Sequence, residues 1–177
     1  MKIIYLLTIL ACVQTAHGQD YCKLITKEVS DDKKTFEYAS PFDQNDKPAV
    51  RVTRNYNTDP EYAYDNFYVI FRLESPLDSI YNTTPDGRQT ERDERKLVVE
   101  FEDQSKITDD TIRINHDVSD DHTQAVRYID FPLTDATAKD FATKKIARFS
   151  LAGNYRSVAP DSANSILHYI QCMKSVK

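Results

Sequence analysis

Two cysteines, Cys22 and Cys172, restrict the fold of this chain more than any other feature. They are the only cysteines left once residues 1–18 are set aside, and they stand near opposite ends of what remains. Residues 1–18 have the layout of a secretory signal peptide. Met1-Lys2 is a minimal basic start, Ile3 to Ala11 is apolar apart from Thr8, and Ala16-His17-Gly18 offers a small-x-small cleavage site before Gln19. Export places residues 19–177 in an oxidising compartment, periplasmic or extracellular, where thiols pair. Two cysteines there allow one intramolecular bridge. A fold that makes it must bring the first strand to the last helix, and closing so long a loop is worth at most about 5 kcal/mol.

The alternatives to this reading are weaker. Ile9-Leu10-Ala11-Cys12 loosely matches a lipoprotein signal, with Cys12 as the lipidated residue, but Leu10 is bulky where that motif prefers a small side chain. Cleavage after Gly18 is therefore the favoured expectation. The apolar run is about half the ~20 residues that a membrane-spanning helix needs, so no transmembrane helix is expected. A reactive thiol at Cys172 would need a base and an electropositive setting. His168, one helical turn earlier, would share its face but does not make a site alone.

Composition removes several function classes. The chain has a formal net charge of −5 and no Lys/Arg-rich block. Nucleic acid and anionic lipid are poor partners for such a surface. Glycine is scarce, with only Gly87 and Gly153 after residue 18, which excludes glycine-rich phosphate loops and dinucleotide fingerprints. No cofactor is expected. The chain contains 11 Tyr, 8 Phe and no Trp, enough apolar surface for a folded core.

Strand patterning fills the middle of the chain. Phe67, Val69, Phe71 and Leu73 alternate with Tyr68, Ile70 and Arg72, a period of two apolar on both faces, as in a central strand. Leu97, Val99 and Phe101, then Ile112 and Ile114, then Ile129, Phe131 and Leu133, then Ala147, Phe149 and Leu151 repeat it. Cys22–Val29 and Thr35–Tyr38 flank a polar hairpin turn at Ser30–Lys33. Val50–Thr53 reads as an edge strand. Asp103-Gln104-Ser105 reads as a tight turn. Thr134 can cap a short helix with Ala138, Phe141 and Ala142 inward. A second helix starts near Pro160, and its stripe is Ala163, Ile166, Leu167, Ile170 and Met173.

Three segments carry candidate chemistry. Thr108–His122 holds Asp109, Asp110, His116, Asp117, Asp120, Asp121 and His122, a set suited to a divalent cation. It lacks the order of a calcium loop or a zinc helix, so it reads as a solvated loop and no metal ligands are assigned. Tyr56, Tyr62 and Tyr64 cluster in the irregular stretch Asn55–Asp65; such rings most often cover a sheet edge and fill the core, and on a loop they also suit a protein or glycan partner. Pro76–Arg95 is a second irregular stretch with a turn at Pro85-Asp86-Gly87. No hydrolase elbow motif occurs, and no catalytic residue is assigned.

Several motifs together resemble a known group. The strand Lys96-Leu97-Val98-Val99-Glu100-Phe101-Glu102-Asp103, the strand Lys145-Ile146-Ala147-Arg148-Phe149 after a short helix, and the ending Ile170-Gln171-Cys172 resemble small exported proteins of unknown function from Bacteroidetes-type bacteria. That resemblance implies a periplasmic or surface address and no particular activity. The expectation is one α+β domain over 19–177: a mainly antiparallel sheet or incomplete sandwich of about six to eight strands, packed by a C-terminal helix, with one short crossover helix. The expected function is an exported, non-enzymatic binding or envelope-associated domain. A secreted hydrolase with an acidic or His-containing site is the alternative.

Overall fold

The structure is a computed structural model that describes residues 20–41, 49–83, 85–86, 88–91, 93–119 and 122–176. The expected leader and Cys12 lie outside these residues. In chain order the strands are β1 (Thr26–Val29), β2 (Thr35–Ala39), β3 (Ala49–Asn57), β4 (Tyr64–Pro76), β5 (Tyr81–Thr83), β6 (Gln89–Glu91), β7 (Arg95–Phe101), β8 (Lys106–Arg113), β9 (Asn115–Val118), β10 (Gln124–Pro132), β11 (Ile146–Leu151) and β12 (Asn154–Ser157). Helix α1 (Asp135–Thr143) and helix α2 (Pro160–Ser175) complete the set, with 3-10 turns at Tyr21–Leu24 and Leu77–Ile80.

A six-stranded sheet runs β1-β2-β3-β4-β10-β9, a four-stranded sheet runs β12-β11-β7-β8, and β5 pairs with β6. Every pairing is antiparallel. The two larger sheets meet through their apolar faces: the rings of Phe71 on β4 and Phe149 on β11 lie 4.9 Å apart. Phe141 of α1 fills the space beside them, 5.4 Å from Phe101 and 5.9 Å from Phe131. Each such ring contributes roughly 1.5–3 kcal/mol by burial. Helix α2 adds Ala163, Ile166, Tyr169, Ile170 and Met173 to the same core. This is the expected α+β class, with more strands than the periodicity suggested.

The local code accounts for most of it. Val69, Phe71 and Leu73 are buried along β4, which lies centrally between β3 and β10. Helix α1 starts where expected: the Thr134 hydroxyl accepts from the Thr137 amide, and Thr137 returns the bond to the Thr134 amide. This helix carries the chain from one sheet to the other, between β10 and β11. Pro160 sits in the first turn of α2. On that helix Tyr169 is buried and Leu167 only half-buried, a small rotation of the expected stripe.

The disulfide joins Cys22 to Cys172, with a Cα–Cα distance of 5.5 Å across a sequence separation of 150. Cys22 lies in the 3-10 turn before β1, not within a strand as read from sequence. Ring packing reinforces the bridge: Tyr21 stacks on His168 at 4.8 Å and meets Tyr169 edge-on at 5.7 Å.

Four expectations need correction. The strand read at Val50–Thr53 runs through Asn57 and is internal, because Ala49–Asn57 pairs residue by residue with β4 while β2 covers its other edge. The stretch Asn55–Asp65 is irregular only at 58–63; its ends belong to β3 and β4, whose residues pair in register across the hairpin. Similarly, Thr108–His122 is strand through Val118, since β8 pairs with β7 and β9 with β10 while their alternate polar side chains face solvent. Pro76–Arg95 also gains order, as the Leu77–Ile80 turn and the β5–β6 pair.

Candidate binding site

The β3–β4 hairpin places Arg54 and Tyr56 on the core-facing side of β3, opposite Phe67 and Asp65 of β4. Helix α2 ends above this point. Arg54 Nε donates to Asp65 Oδ1 at 2.9 Å and Nη2 to Oδ2 at 2.7 Å, a planar bidentate pair. Its Nη1 donates to the carbonyls of Met173 at 2.5 Å and Val176 at 2.8 Å. The guanidinium thus closes the C-terminus of α2, whose last carbonyls have no partner within the helix. This hydrogen bonding holds the Asp65 carboxyl below its usual range and the Arg54 guanidinium above its own.

An aromatic row lies around Arg54 across β2, β3 and β4. Tyr56 stacks on Phe36 at 4.8 Å and on Tyr38 at 6.0 Å. Lys27 of β1 sits 5.2 Å from the Phe36 ring centre and 5.5 Å from that of Tyr38. Arg54 lies 5.9 Å from the Tyr56 ring and 6.0 Å from Phe67. Cations therefore flank the rings at both ends, an attraction of roughly 0.5–1 kcal/mol each at such exposure. Burial, then hydrogen bonding with Tyr38, raises the Tyr56 phenol, which keeps it neutral.

A hollow of about 250 Å³ opens here, lined by Arg54, Tyr56, Asn57, Tyr64 and Asp65. A second, of about 240 Å³, shares Arg54 and Asp65 and is lined also by Phe67, Leu133, Asp135, Ala138 and Lys174. Of the three tyrosines singled out by sequence, Tyr56 and Tyr64 come together in the first hollow. Tyr62 is 68% exposed in the intervening turn, where its amide donates to the Asp59 carbonyl, and does not line it. Sequence reading missed Arg54, Asn57 and Asp65. Their signal was present as polar residues alternating with Tyr56 and Tyr64 along two strands, but it emerges only with the hairpin register.

The histidines lie elsewhere. His116 Nε2 is 3.0 Å from Glu94 Oε2, and Arg127 grips the same carboxylate through Nε at 2.5 Å and Nη2 at 3.1 Å. Arg127 also donates to the hydroxyls of Ser75 and Ser79, and through Nη2 to the Ser79 carbonyl at 2.9 Å. Burial alone would raise the Glu94 carboxyl; the bonds from Arg127 and His116 outweigh it and hold it below its usual range. The serines here face a guanidinium rather than an imidazole, which does not make a nucleophile–base pair. His116 and Arg127 are each only 2% exposed, so the cluster locks β9 and β10 to the segments at 75–79 and 94 and is closed to a substrate.

His122 is exposed in a turn, and His168 is taken up by Tyr21. Asp109 accepts from the Thr111 and Ile112 amides, and Asp117 from the Val118 amide. Among the described residues no three metal-ligating side chains converge; Asp120 and Asp121 lie outside them. A third hollow, of about 310 Å³, opens on the outer face of the larger sheet between Arg72, Asp117, Tyr128 and Asp130.

Fold and site together define an α+β sandwich, six strands on four, tied end to end by a disulfide and bearing an aromatic hollow where its last helix stops. No family model, curated protein or solved structure matches the chain.

Proposed function

We propose that this is an exported, non-enzymatic binding domain whose contact face centres on Tyr56, Tyr64 and the Arg54–Asp65 pair. The reading is carried by one observation: four of the five side chains that line the hollow, Arg54, Tyr56, Asn57 and Asp65, are already held in place. Arg54 is fixed by four hydrogen bonds, Asp65 by Arg54, and Tyr56 by two stacked rings. A site whose walls are ordered before binding loses little entropy on engagement. The leader pattern, the disulfide and the resemblance to exported Bacteroidetes-type proteins support an extracytoplasmic address, in the periplasm, at the surface or secreted. No helix among the described residues is long and apolar enough to cross a membrane.

A photo-crosslinking residue at Tyr64, in protein exported by its native cells, tests the face. It is expected to capture a partner, glycan or protein, that the same residue at Tyr155 on the opposite sheet does not. Capture at both positions, or at neither, refutes the assignment.

A further inference from the structure

Resting on that reading, we infer that the hollow between Tyr56 and Tyr64 takes a neutral saccharide unit. Charge is the first constraint on the ligand. Four of the five N–H groups of the Arg54 guanidinium are engaged, by the Asp65 carboxylate or by the helix carbonyls, so its charge is already matched and one N–H is left for a ligand. Asp65 is neutralised by the same contact and offers no unpaired charge to a cation. Tyr56 remains a neutral phenol. Like Arg54, Asn57 is engaged, with Nδ2 on the Thr35 hydroxyl at 3.2 Å and Oδ1 accepting from the Asp59 amide at 2.7 Å. The walls therefore sum to no net charge.

Two kinds of group are left for a ligand. One is aromatic surface, chiefly Tyr64, which is 41% exposed. The other is hydrogen-bonding capacity: the Tyr64 hydroxyl, one remaining Asn57 N–H, and the outward lone pairs of Asp65, whose side chain is 52% exposed. A ligand that satisfies both must join an apolar face to a rim of uncharged hydroxyls, which is the chemistry of a pyranose ring. A hydroxyl can donate to Asp65 without disturbing the Arg54 pair, because each carboxylate oxygen keeps a free lone pair. An ammonium or a carboxylate in the same place would be desolvated against an already neutral ion pair. The size agrees: about 250 Å³ is below the roughly 300–1,000 Å³ of pockets for whole drug-sized ligands and suits one ring of a chain that continues into solvent. Tyr62, exposed in the turn joining the two strands that line the hollow, stands where the rest of such a chain would emerge.

The test is an NMR titration of the isotope-labelled disulfide-bonded protein, residues 19–177, with cellotetraose, chitotetraose, maltotetraose, xylotetraose and mannotetraose, and with heparin as an anionic probe. At least one neutral oligosaccharide is expected to shift the amides of 54–57 and 62–65 saturably. Tyr64→Ala is expected to weaken that binding by about ten-fold or more. Because Tyr64 is exposed, its thermal midpoint is expected to match the parent, which separates lost binding from lost folding. No shift with any neutral oligosaccharide, shifts confined to heparin, or binding indifferent to Tyr64→Ala overturns the inference. If the titration fails while Tyr64 still crosslinks a polypeptide in cells, the saccharide is excluded and the contact face stands. If both fail, both readings fall.

Discussion

Arg127 is a full charge in a strand whose neighbours are apolar, and its environment explains how the fold tolerates it. Glu94 meets it through two oxygens, and Ser75 and Ser79 take the remaining donors. Removing one partner of so buried a pair leaves the other stranded. Arg127→Ala is therefore expected to lose about 3–5 kcal/mol of stability, measured by urea unfolding; a loss under about 1 kcal/mol would contradict the lock. Glu94 also sets an acid limb. Its carboxyl is held below the usual value, so its contribution is complete above the unfolded-state pKa and disappears as pH falls through the lower folded-state value. Urea midpoints measured from about pH 6 down to about pH 3 are expected to fall more steeply in the parent than in Glu94→Gln. Equal slopes would assign the acid sensitivity to other carboxylates. Glu94 did not stand out in the sequence, because it sits in an alternating-charge segment that reads as loop. Arg127, an isolated charge in Ala125-Val126-Arg127-Tyr128-Ile129, was the visible signal, and its meaning depended on a partner 33 residues away.

At the scale of elements, legibility followed the contrast between apolar and polar neighbours. Strands β4, β7, β10 and β11 and both helices were readable because their buried residues recur at a clear period. Strands β8 and β9 were not, because their exposed positions carry Lys, Asp and Arg, and a strand half covered in charge resembles a loop. The outer half of β3 was hidden for a related reason. Arg54 points toward the core yet is polar, and its partners, Asp65 and the end of α2, come only with the assembled fold. That contact predicts a local effect. Arg54→Met is expected to cost about 2 kcal/mol, in the range of a hydrogen bond to a charged group, and to speed amide exchange in the last turn of α2. Exchange unchanged there would show that the helix closes without the guanidinium. Thr134→Ala, at the other helix, is expected to cost about 1 kcal/mol through loss of the cap, checked by the same unfolding assay.

For the whole molecule the dominant constraint is the link between its ends. It was legible because it required only a count of cysteines and an address, whereas strand order and the pairing of the two sheets needed long-range register that local patterns do not encode. Helix α2 lies under the bridge, meets the Tyr21–Leu24 turn, and presents its last carbonyls to Arg54 at the hollow. Replacing both cysteines by serine is expected to lower stability by about 2–5 kcal/mol while leaving the sheets intact, read by urea unfolding and circular dichroism. Export and the bridge stand beneath the rest of the account, and intact-mass and non-reducing peptide mass spectrometry of protein purified from its native source tests them together. The account predicts a chain beginning at Gln19 with a single peptide pair linked through Cys22 and Cys172. A chain that keeps residues 1–18 and yields both cysteines as free thiols would contradict it.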